Sequence, residues 1–125
     1  MATRRIRVLH VDDNADARAL LSIILRRAED LEEVGSQSSA EGLEKIIRET
    51  APDVLLIDLT MQGKDPIEAI REVRAAFPEL RIVVLSGSGD PRLLERARKA
   101  GASQIARKAL DISETLEAIR GHARS

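Results

Sequence analysis

Five polar residues stand where chemistry could occur, because each ends or follows an apolar stretch of the sequence. Asp12 and Asp13 follow one stretch, Asp58 ends a second, Ser86 ends a third, and Lys108 follows a weaker fourth. If they lay together, the three carboxylates would repel one another and at least one would take up a proton. A divalent cation would offset that repulsion, and Mg²⁺ is the natural choice because it prefers hard oxygen ligands.

The lysine adds a second requirement, because an ammonium group beside a metal ion implies an anionic ligand. Mg²⁺, a lysine and a carboxylate nucleophile make a site for phosphoryl transfer, which depends on positioning and on charge neutralisation at the transferred oxygens. Carboxylates that form aspartyl phosphates are an established class of nucleophile. Asp58 is the candidate nucleophile, because it is the only acid that directly ends a central apolar run.

The apolar runs that carry these residues are predicted strands. Segments 6–11, 54–57 and 82–85 are rich in Val, Ile and Leu without alternation, which is typical of strands buried on both faces. Weaker strands are predicted at 33–36 and 103–106. Between the strands, apolar residues recur with helical spacing, which predicts five helices. The helical stripes lie within 17–28, 43–47, 70–77, 93–100 and 112–119.

Residues that favour helix ends fall at these boundaries. Asp90-Pro91 predicts an N-cap followed by a proline at the first helical position, and Gly101 suits a left-handed C-cap. Two pairs have the spacing of a capping box, Ser38 with Glu41 and Asp111 with Glu114. The alternation predicts an α/β fold with one parallel sheet and helices on both faces. Ligands bind such sheets at the carboxyl ends of the strands, which would bring the polar residues to one rim.

The composition bounds what the chain does. With 125 residues, the chain is predicted to form one domain, 1–125. It has no cysteine, which excludes disulfides and thiolate metal sites. No apolar run approaches the ~20 residues of a membrane span and no signal peptide is recognised, so we expect a cytoplasmic protein without membrane contact. A net charge of −1 and a single Phe as the only aromatic residue indicate no nucleic-acid interface.

Taken with their flanks, these positions resemble the receiver domains of two-component response regulators. The matching segments are 5–11 with Asp12-Asp13, the acceptor strand 52–61, the hydroxyl-bearing strand 82–87, and 99–103 with Lys108. The resemblance covers nearly the whole chain. It implies a doubly wound, flavodoxin-like (CheY-like) sheet of five parallel strands in the order 2-1-3-4-5. The segment 116–123 resembles receivers that precede a helix-turn-helix output domain.

The resemblance implies a role for each acid. Asp58 would be the phosphorylated residue. Asp13 and Asp58 would bind Mg²⁺ directly, and Asp12 would do so largely through water. The carbonyl of Thr60 would supply a further oxygen ligand.

The remaining matched residues would handle the phosphoryl group. Lys108 would pair with the acceptor carboxylate and then with a phosphoryl oxygen. Ser86 would hydrogen-bond the phosphoryl group and couple it to the following loop, while Gly87 would leave room and offer a backbone N–H. The phosphoryl donor would be a histidine kinase, a phosphotransfer protein or a small acyl phosphate.

The sequence departs from the family pattern at four positions. Gln62 and Ala109 stand where proline is usual, Pro66 where glycine is usual, and Ile105 where Tyr or Phe is usual. A cis bond before alanine would cost ~3 kcal/mol, so the peptide after Lys108 is expected to be trans. Ile105 carries no ring or hydroxyl, so the switch is expected to work through the backbone of 87–90.

Three functions fit these residues: a phosphorylation-dependent switch, a pseudo-receiver that binds partners without phosphate, and an aspartate-nucleophile phosphatase. Thr60 argues against the phosphatase, because such enzymes place a second acid two residues after the nucleophile. The downstream partner, a fused output domain and a weak homodimer stay open. Of the two histidines, His10 is predicted to be a buried, hydrogen-bonded structural residue and His122 an exposed tail residue.

Overall fold

The computed structural model describes residues 4–87, 89–108 and 112–121. Five strands alternate with five helices, as the sequence predicts. The strands are β1 (Ile6–Val11), β2 (Leu31–Gln37), β3 (Val54–Asp58), β4 (Arg81–Ser86) and β5 (Gln104–Arg107). The helices are α1 (Ala15–Arg27), α2 (Leu43–Thr50), α3 (Pro66–Ala76), α4 (Pro91–Ala100) and α5 (Ser113–Arg120). β1 has its predicted bounds, β3 is one residue longer at its end, β2 and β4 are longer at both ends, and β5 is displaced by one residue.

The five strands are parallel and lie in the order β2-β1-β3-β4-β5, which confirms the predicted fold class. The chain first adds β2 on one side of β1 and then adds β3, β4 and β5 in turn on the other. The topological switch point therefore lies between β1 and β3. This is where a sheet of this kind opens a crevice at the carboxyl ends of its strands.

An apolar layer covers each face of the sheet. Leu9 and Val11 of β1 point into the layer built with α2, α3 and α4. Val8 points into the opposite layer, built with α1 and α5. Because both faces are covered, every residue of β3 is buried, which explains why the central strands are continuously apolar in sequence.

The predicted ends of α4 are confirmed. The Asp90 side chain accepts a hydrogen bond from the Arg92 N–H, and Pro91 opens the helix. Gly101 ends it with a φ of 129°, and a Cβ at this position would lie 2.7 Å from the Arg74 side chain. Both the backbone conformation and the close approach therefore require glycine here.

The capping box predicted from Ser38 and Glu41 is wrong. Helix α2 begins at Leu43 and is preceded by Gly42, which has a φ of 67° and provides no side-chain cap. The Glu41 N–H instead donates to Ser39 Oγ in a local turn. Because Gly42 is left-handed, the helix cannot begin before Leu43. The Ser-x-x-Glu spacing would have started it earlier.

The second predicted capping box lies partly outside the described residues, because Asp111 does. Its partner Glu114 accepts hydrogen bonds from the backbone and guanidinium of Arg107. His122 and the rest of the predicted tail, 122–125, also fall outside. Across the described part of the chain, no helix combines the length and the apolar character that a membrane span needs.

Candidate functional site

Asp58 occupies the carboxyl end of β3, between β1 and β4. Its side chain is only 1% exposed. The Thr60 N–H donates to Asp58 Oδ1 at 2.9 Å, and the Leu59 N–H donates to the Leu85 carbonyl at 2.9 Å. The carboxylate is thus fixed in a buried position immediately after an all-apolar strand.

Asp12 occupies the equivalent position beyond β1 and is equally buried. The Asn14 N–H donates to Asp12 Oδ1 at 2.9 Å, and the Arg18 guanidinium donates to the Asp12 carbonyl at 2.7 Å. Asn14 is also the N-cap of α1, since its side chain accepts the Ala17 N–H at 2.8 Å. The start of α1 therefore positions this carboxylate.

Lys108 joins the two buried carboxylates. Its Nζ donates to Asp12 Oδ2 at 2.8 Å and also contacts Asp58 Oδ2 directly. The backbone N–H of Lys108 donates to the Ser86 carbonyl at 2.9 Å, which ties the lysine to the end of β4. One ammonium group, reaching in from the end of β5, therefore bridges the ends of β1 and β3.

The shared cation affects the two acids unequally. Burial works to raise the pKa of Asp12, but hydrogen bonds from Lys108 and from the Asn14 N–H outweigh it and lower that pKa. Burial raises the pKa of Asp58, because its hydrogen bonds with Lys108 and the Thr60 N–H offset only part of the desolvation. Desolvation works to lower the pKa of Lys108, but the hydrogen bonds to both carboxylates raise it above its usual value.

An open cavity of about 710 Å³ lies in front of Asp58. Asp13 and Lys108 line it, together with the loop that follows β3. Unlike its neighbour, Asp13 is exposed, and its Oδ2 accepts the Gln62 N–H at 3.1 Å. The cavity therefore offers one solvent-facing carboxylate and one buried one to a ligand.

The oxygen donors at this cavity suit a hard divalent cation. Asp13 and Asp58 both border it, and Lys108 links Asp58 to Asp12 behind them. Within the described ranges, no three acidic or histidine side chains lie close enough together to count as a preformed metal group. Carboxylate oxygens are ligands that suit Mg²⁺. In this structure Lys108 neutralises part of the negative charge of Asp12 and Asp58.

Two further predicted residues border the same rim. Ser86 ends β4, is 4% exposed, and its carbonyl accepts the Lys108 N–H. Gly87 is exposed and lines the 710 Å³ cavity. The residue that follows it, at 88, lies outside the described residues.

The sequence model of the response regulator receiver domain matches residues 8–120 of the chain. The chain belongs to the response regulator receiver family. The matched range includes all five polar residues of the rim and every described strand except the first two residues of β1. This receiver is a domain of the two-component signalling type, with the CheY-like fold that its motifs imply.

Two curated relatives match this receiver over only part of their own length. It is 41% identical over 105 residues to protein-glutamate methylesterase/protein-glutamine glutaminase 5 of Myxococcus xanthus, covering 82% of this chain and 30% of that protein. It is 31% identical to the response regulator protein VraR of Staphylococcus epidermidis, covering 92% of this chain and 55% of that protein. The chain thus spans about half the length of VraR, and less of the methylesterase.

A solved structure supports the same assignment. A two-component response regulator of the LuxR family from Aurantimonas sp. SI85-9A1 superposes with a TM-score of 0.86 at 29% sequence identity. The alignment covers 94% of this chain and 84% of that one. The arrangement of the strands is therefore shared with a regulator of this class.

Three of the four departures from the receiver pattern can be placed. Pro66 opens α3 behind the N-cap Asp65, whose side chain accepts the Ile67 N–H, so it suits its position. Gln62 supplies the N–H that contacts Asp13, a bond that a proline could not make. Ile105 is half-buried in β5 and packs against the apolar layer of α2, α3 and α4. Ala109 lies outside the described residues, and the trans peptide expected before it stays a prediction.

Sequence reasoning missed one residue, Asn14, and one contact, between Gln62 and Asp13, that shape this site. Asn14 orients Asp12 and caps α1, and its position shortly before the helical stripe that starts at Ala17 is a signal that could have identified it. The Gln62 contact with Asp13 joins residues far apart in sequence and leaves no local signal.

The prediction for His10 was right on burial and wrong on hydrogen bonding. The residue is 1% exposed, yet neither ring nitrogen has a hydrogen-bond partner within the described part of the chain. Burial lowers the pKa of His10 to about 4, with the Asp12 charge acting against that change and Lys108 and Arg18 reinforcing it. The imidazole is therefore neutral at pH 7.

Proposed function

We propose that this receiver is a phosphorylation-dependent switch in which Asp58 accepts the phosphoryl group. The observation that carries the proposal is the buried Asp58 carboxylate, held by Lys108 and facing an open cavity. Asp12 contacts the same ammonium but is not among the residues that line that cavity. Asp58 is therefore the acid that combines a fixed position with access for a phosphoryl donor.

The chemistry follows from the hydrogen bonds that Asp58 makes. A carboxylate oxygen attacks the phosphorus of the donor while the bond from phosphorus to the donor atom breaks, which gives an acyl phosphate. The Thr60 N–H holds one carboxylate oxygen in place during this step. Lys108 exchanges its contact with Asp58 for one with a phosphoryl oxygen, while its bond to Asp12 keeps the ammonium at the site.

Mg²⁺ is the cofactor in this proposal. Asp13, Asp58 and the Thr60 carbonyl would hold it directly, and Asp12 would do so largely through water. When bound, the ion neutralises charge that develops on the transferred oxygens. The support for this assignment is the set of hard oxygen donors at one rim and the exposure of Asp13, which leaves an oxygen free to meet a cation.

The response to phosphorylation is proposed to run through the loop after β4. Ser86 would donate its hydroxyl to the phosphoryl group, and Gly87 would offer its N–H and leave room beside it. Ile105 packs into an apolar layer, and branching at its Cβ restricts its rotamers. A backbone movement of 87–90 is therefore the route that the residues favour.

A histidine kinase, a phosphotransfer protein or a small acyl phosphate would supply the phosphoryl group. A downstream protein or a fused output domain would read the result, as the response-regulator relatives suggest. Thr60 disfavours turnover as a phosphatase, so we propose that the domain catalyses only its own phosphorylation and dephosphorylation. The bridge from Lys108 to both carboxylates supports a working acceptor site over a pseudo-receiver.

Labelling with acetyl phosphate tests the assignment. The chain is incubated with Mg²⁺ and acetyl phosphate and its intact mass is recorded over time. We expect the parent to gain one phosphoryl group and Asp58→Asn to gain none, because an amide is not a nucleophile of this kind. Asp16→Asn, which changes an exposed acid of α1, is the matched control and should label like the parent.

Two results would contradict the proposal in different ways. A parent that never labels, although Mg²⁺ is present and the chain is folded, would indicate a pseudo-receiver. An Asp58→Asn variant that labels as fast as the parent would show that another residue is the acceptor. Multiple turnover of a phosphate ester would instead support the phosphatase.

A further inference from the structure

A second cavity lies beneath the rim, on the opposite side of Asp12 and Lys108 from the phosphoryl site. It has a volume of about 100 Å³ and lies between β1, α1 and α5. Its walls are the apolar side chains of Leu20, Leu21, Ile24, Leu85 and Ile112. Leu20 is 60% exposed, so the cavity reaches solvent along α1.

The inner end of this cavity is polar. His10 and Thr115 line it, and both are buried. His10 faces the α1 and α5 side of the sheet because it alternates along β1 with Leu9 and Val11, which face the other way. A neutral imidazole offers one donor and one acceptor, and neither is used by the described protein atoms.

A buried polar ring without partners is costly. Burial of a polar group costs about 1–3 kcal/mol when no hydrogen bond compensates it, and such groups are nearly always paired. Val8 on the same face of β1 packs in an apolar layer, so an apolar residue at position 10 would suit this face without leaving polar atoms unpaired. An imidazole at the end of an apolar cavity is instead suited to a ligand that can hydrogen-bond to it.

We propose that this space, the His10 cavity, binds a small neutral molecule that combines one apolar ring with one hydroxyl or N–H group. The ring contacts Leu21, Ile24 and Leu85, and the polar group hydrogen-bonds to His10. A hydroxyl matches the site because it both donates and accepts, as neutral imidazole and the Thr115 hydroxyl do. The apolar walls disfavour a charged ligand, because burying a charge among them is costly. The two charged groups that also line the cavity, Asp12 and Lys108, already pair with each other.

The size of the cavity limits the ligand to a single ring. An engineered apolar cavity of about 150 Å³ holds benzene, and the His10 cavity is smaller, at about 100 Å³. Since it opens beside Leu20, part of a ring can project toward solvent. Phenol is therefore a suitable probe, and benzene is its match without the hydroxyl.

The test is a titration of the whole chain with phenol, followed by methyl NMR. We expect saturable shifts at Leu21, Ile24 and Leu85, with a dissociation constant on the order of 1 mM for so small a ligand. Benzene should bind about fivefold more weakly, because it cannot make the hydrogen bond. His10→Leu should abolish this preference for phenol, and His10→Gln, which keeps a donor and an acceptor, should restore part of it.

The inference does not depend on phosphorylation. Phenol binding is measured on the unphosphorylated parent without Mg²⁺ or acetyl phosphate, so its outcome is separate from that of the labelling experiment. Benzene binding as tight as phenol binding in the parent would overturn the inference. So would an absence of saturable shifts, or shifts centred on the separate cavity lined by Ile47, Phe77 and Leu80 instead of on α1 and α5. The comparison of the two probes in the parent needs no variant, and therefore holds even if His10→Leu does not fold.

Discussion

Three arginines at the amino end of the sheet and Lys108 at its carboxyl end bind different kinds of partner. At the amino end, Arg7 donates to the last carbonyls of α2, and Arg81 donates to those of α5. Arg74 donates to the carbonyl of Gly101, directly after α4, and to three carbonyls that follow α3. At the carboxyl end, Lys108 donates to side-chain carboxylates instead.

This difference separates permanent contacts from exchangeable ones. The last carbonyls of a helix have no partner within the helix, so an arginine that satisfies them is replaced only when the chain unfolds or water enters. A carboxylate contact can be exchanged for a phosphoryl oxygen or a metal ion without loss of backbone structure. The amino end therefore secures the fold, and the carboxyl end is free to change partners.

The largest effect is expected for Lys108→Met. Without the ammonium, the charge on the transferred oxygens is poorly compensated, and labelling by acetyl phosphate should slow by about 100-fold or more. Intact mass against time measures the rate. Lys45→Met removes an exposed lysine of α2 and should label like the parent. A Lys108→Met variant with the parent's rate would show that the rim works without its cation.

Arg74→Met should have the opposite effects, with a loss of stability and an unchanged rate of labelling. The guanidinium makes six hydrogen bonds at the amino end, five to main-chain carbonyls and one to Ser103. Their loss should lower the free energy of unfolding by about 3 kcal/mol, measured by urea denaturation. Folded protein should still be labelled at the parent's rate. Arg71→Met, on the exposed side of α3, is the control and should change stability little. If Arg74→Met lost labelling but kept its stability, the amino end of the sheet would serve the phosphoryl site and not the fold.

His10 gives a pH dependence of similar size. Its pKa is about 4 in the folded chain and about 6.5 in an unfolded one, so the unfolded state binds more protons between these values. Stability should therefore fall as the pH is lowered from about 6.5 to about 4, by roughly 3 kcal/mol in all. His10→Leu should lose less stability over this pH range, because it has no imidazole to protonate. Unfolding curves of both proteins across that range, in EDTA, measure the difference. If the two curves stay parallel, the histidine is not neutral when buried.

The smallest effect is expected at Gln62. Gln62→Pro removes the N–H that orients Asp13, and should weaken Mg²⁺ binding about two- to threefold. Gln62→Ala keeps the N–H and should bind like the parent. The measurement is the rise in melting temperature with Mg²⁺, since a cation at ten times its Kd stabilises by about 1.4 kcal/mol. If the melting temperature of the parent does not rise with Mg²⁺, this prediction has no basis. We expect Asp13→Ala to lose most of that rise.

The sequence predicts the fold well because burial on both faces leaves a direct signal. Strands β1, β3 and β4 are continuous runs of branched apolar residues, and Asp58 stands out because it interrupts one of them. Local signals also identify the ends of α4. Asp90, Pro91 and Gly101 each set a helix end through contacts or backbone conformation within a few residues of the chain. Edge strand β5 carries fewer buried residues, so its bounds are less well predicted.

What the sequence does not predict depends on contacts between distant residues or on backbone conformation. Ser38 and Glu41 have the right spacing for a cap, but the left-handed Gly42 starts the helix elsewhere. The buried state of His10 follows from its strand, whereas its lack of partners depends on which side chains of α1 and α5 surround it. Spacing along the chain contains neither kind of information.

The order of the strands has a consequence for synthesis on the ribosome. β1 lies between β2 and β3, so one edge of β1 has no partner until residues 54–58 have emerged. At that stage Asp12 and Asp58 are brought to adjacent strand ends, while Lys108 has still to be translated. Until Lys108 arrives, water or a cation from solution has to offset the repulsion between the two carboxylates.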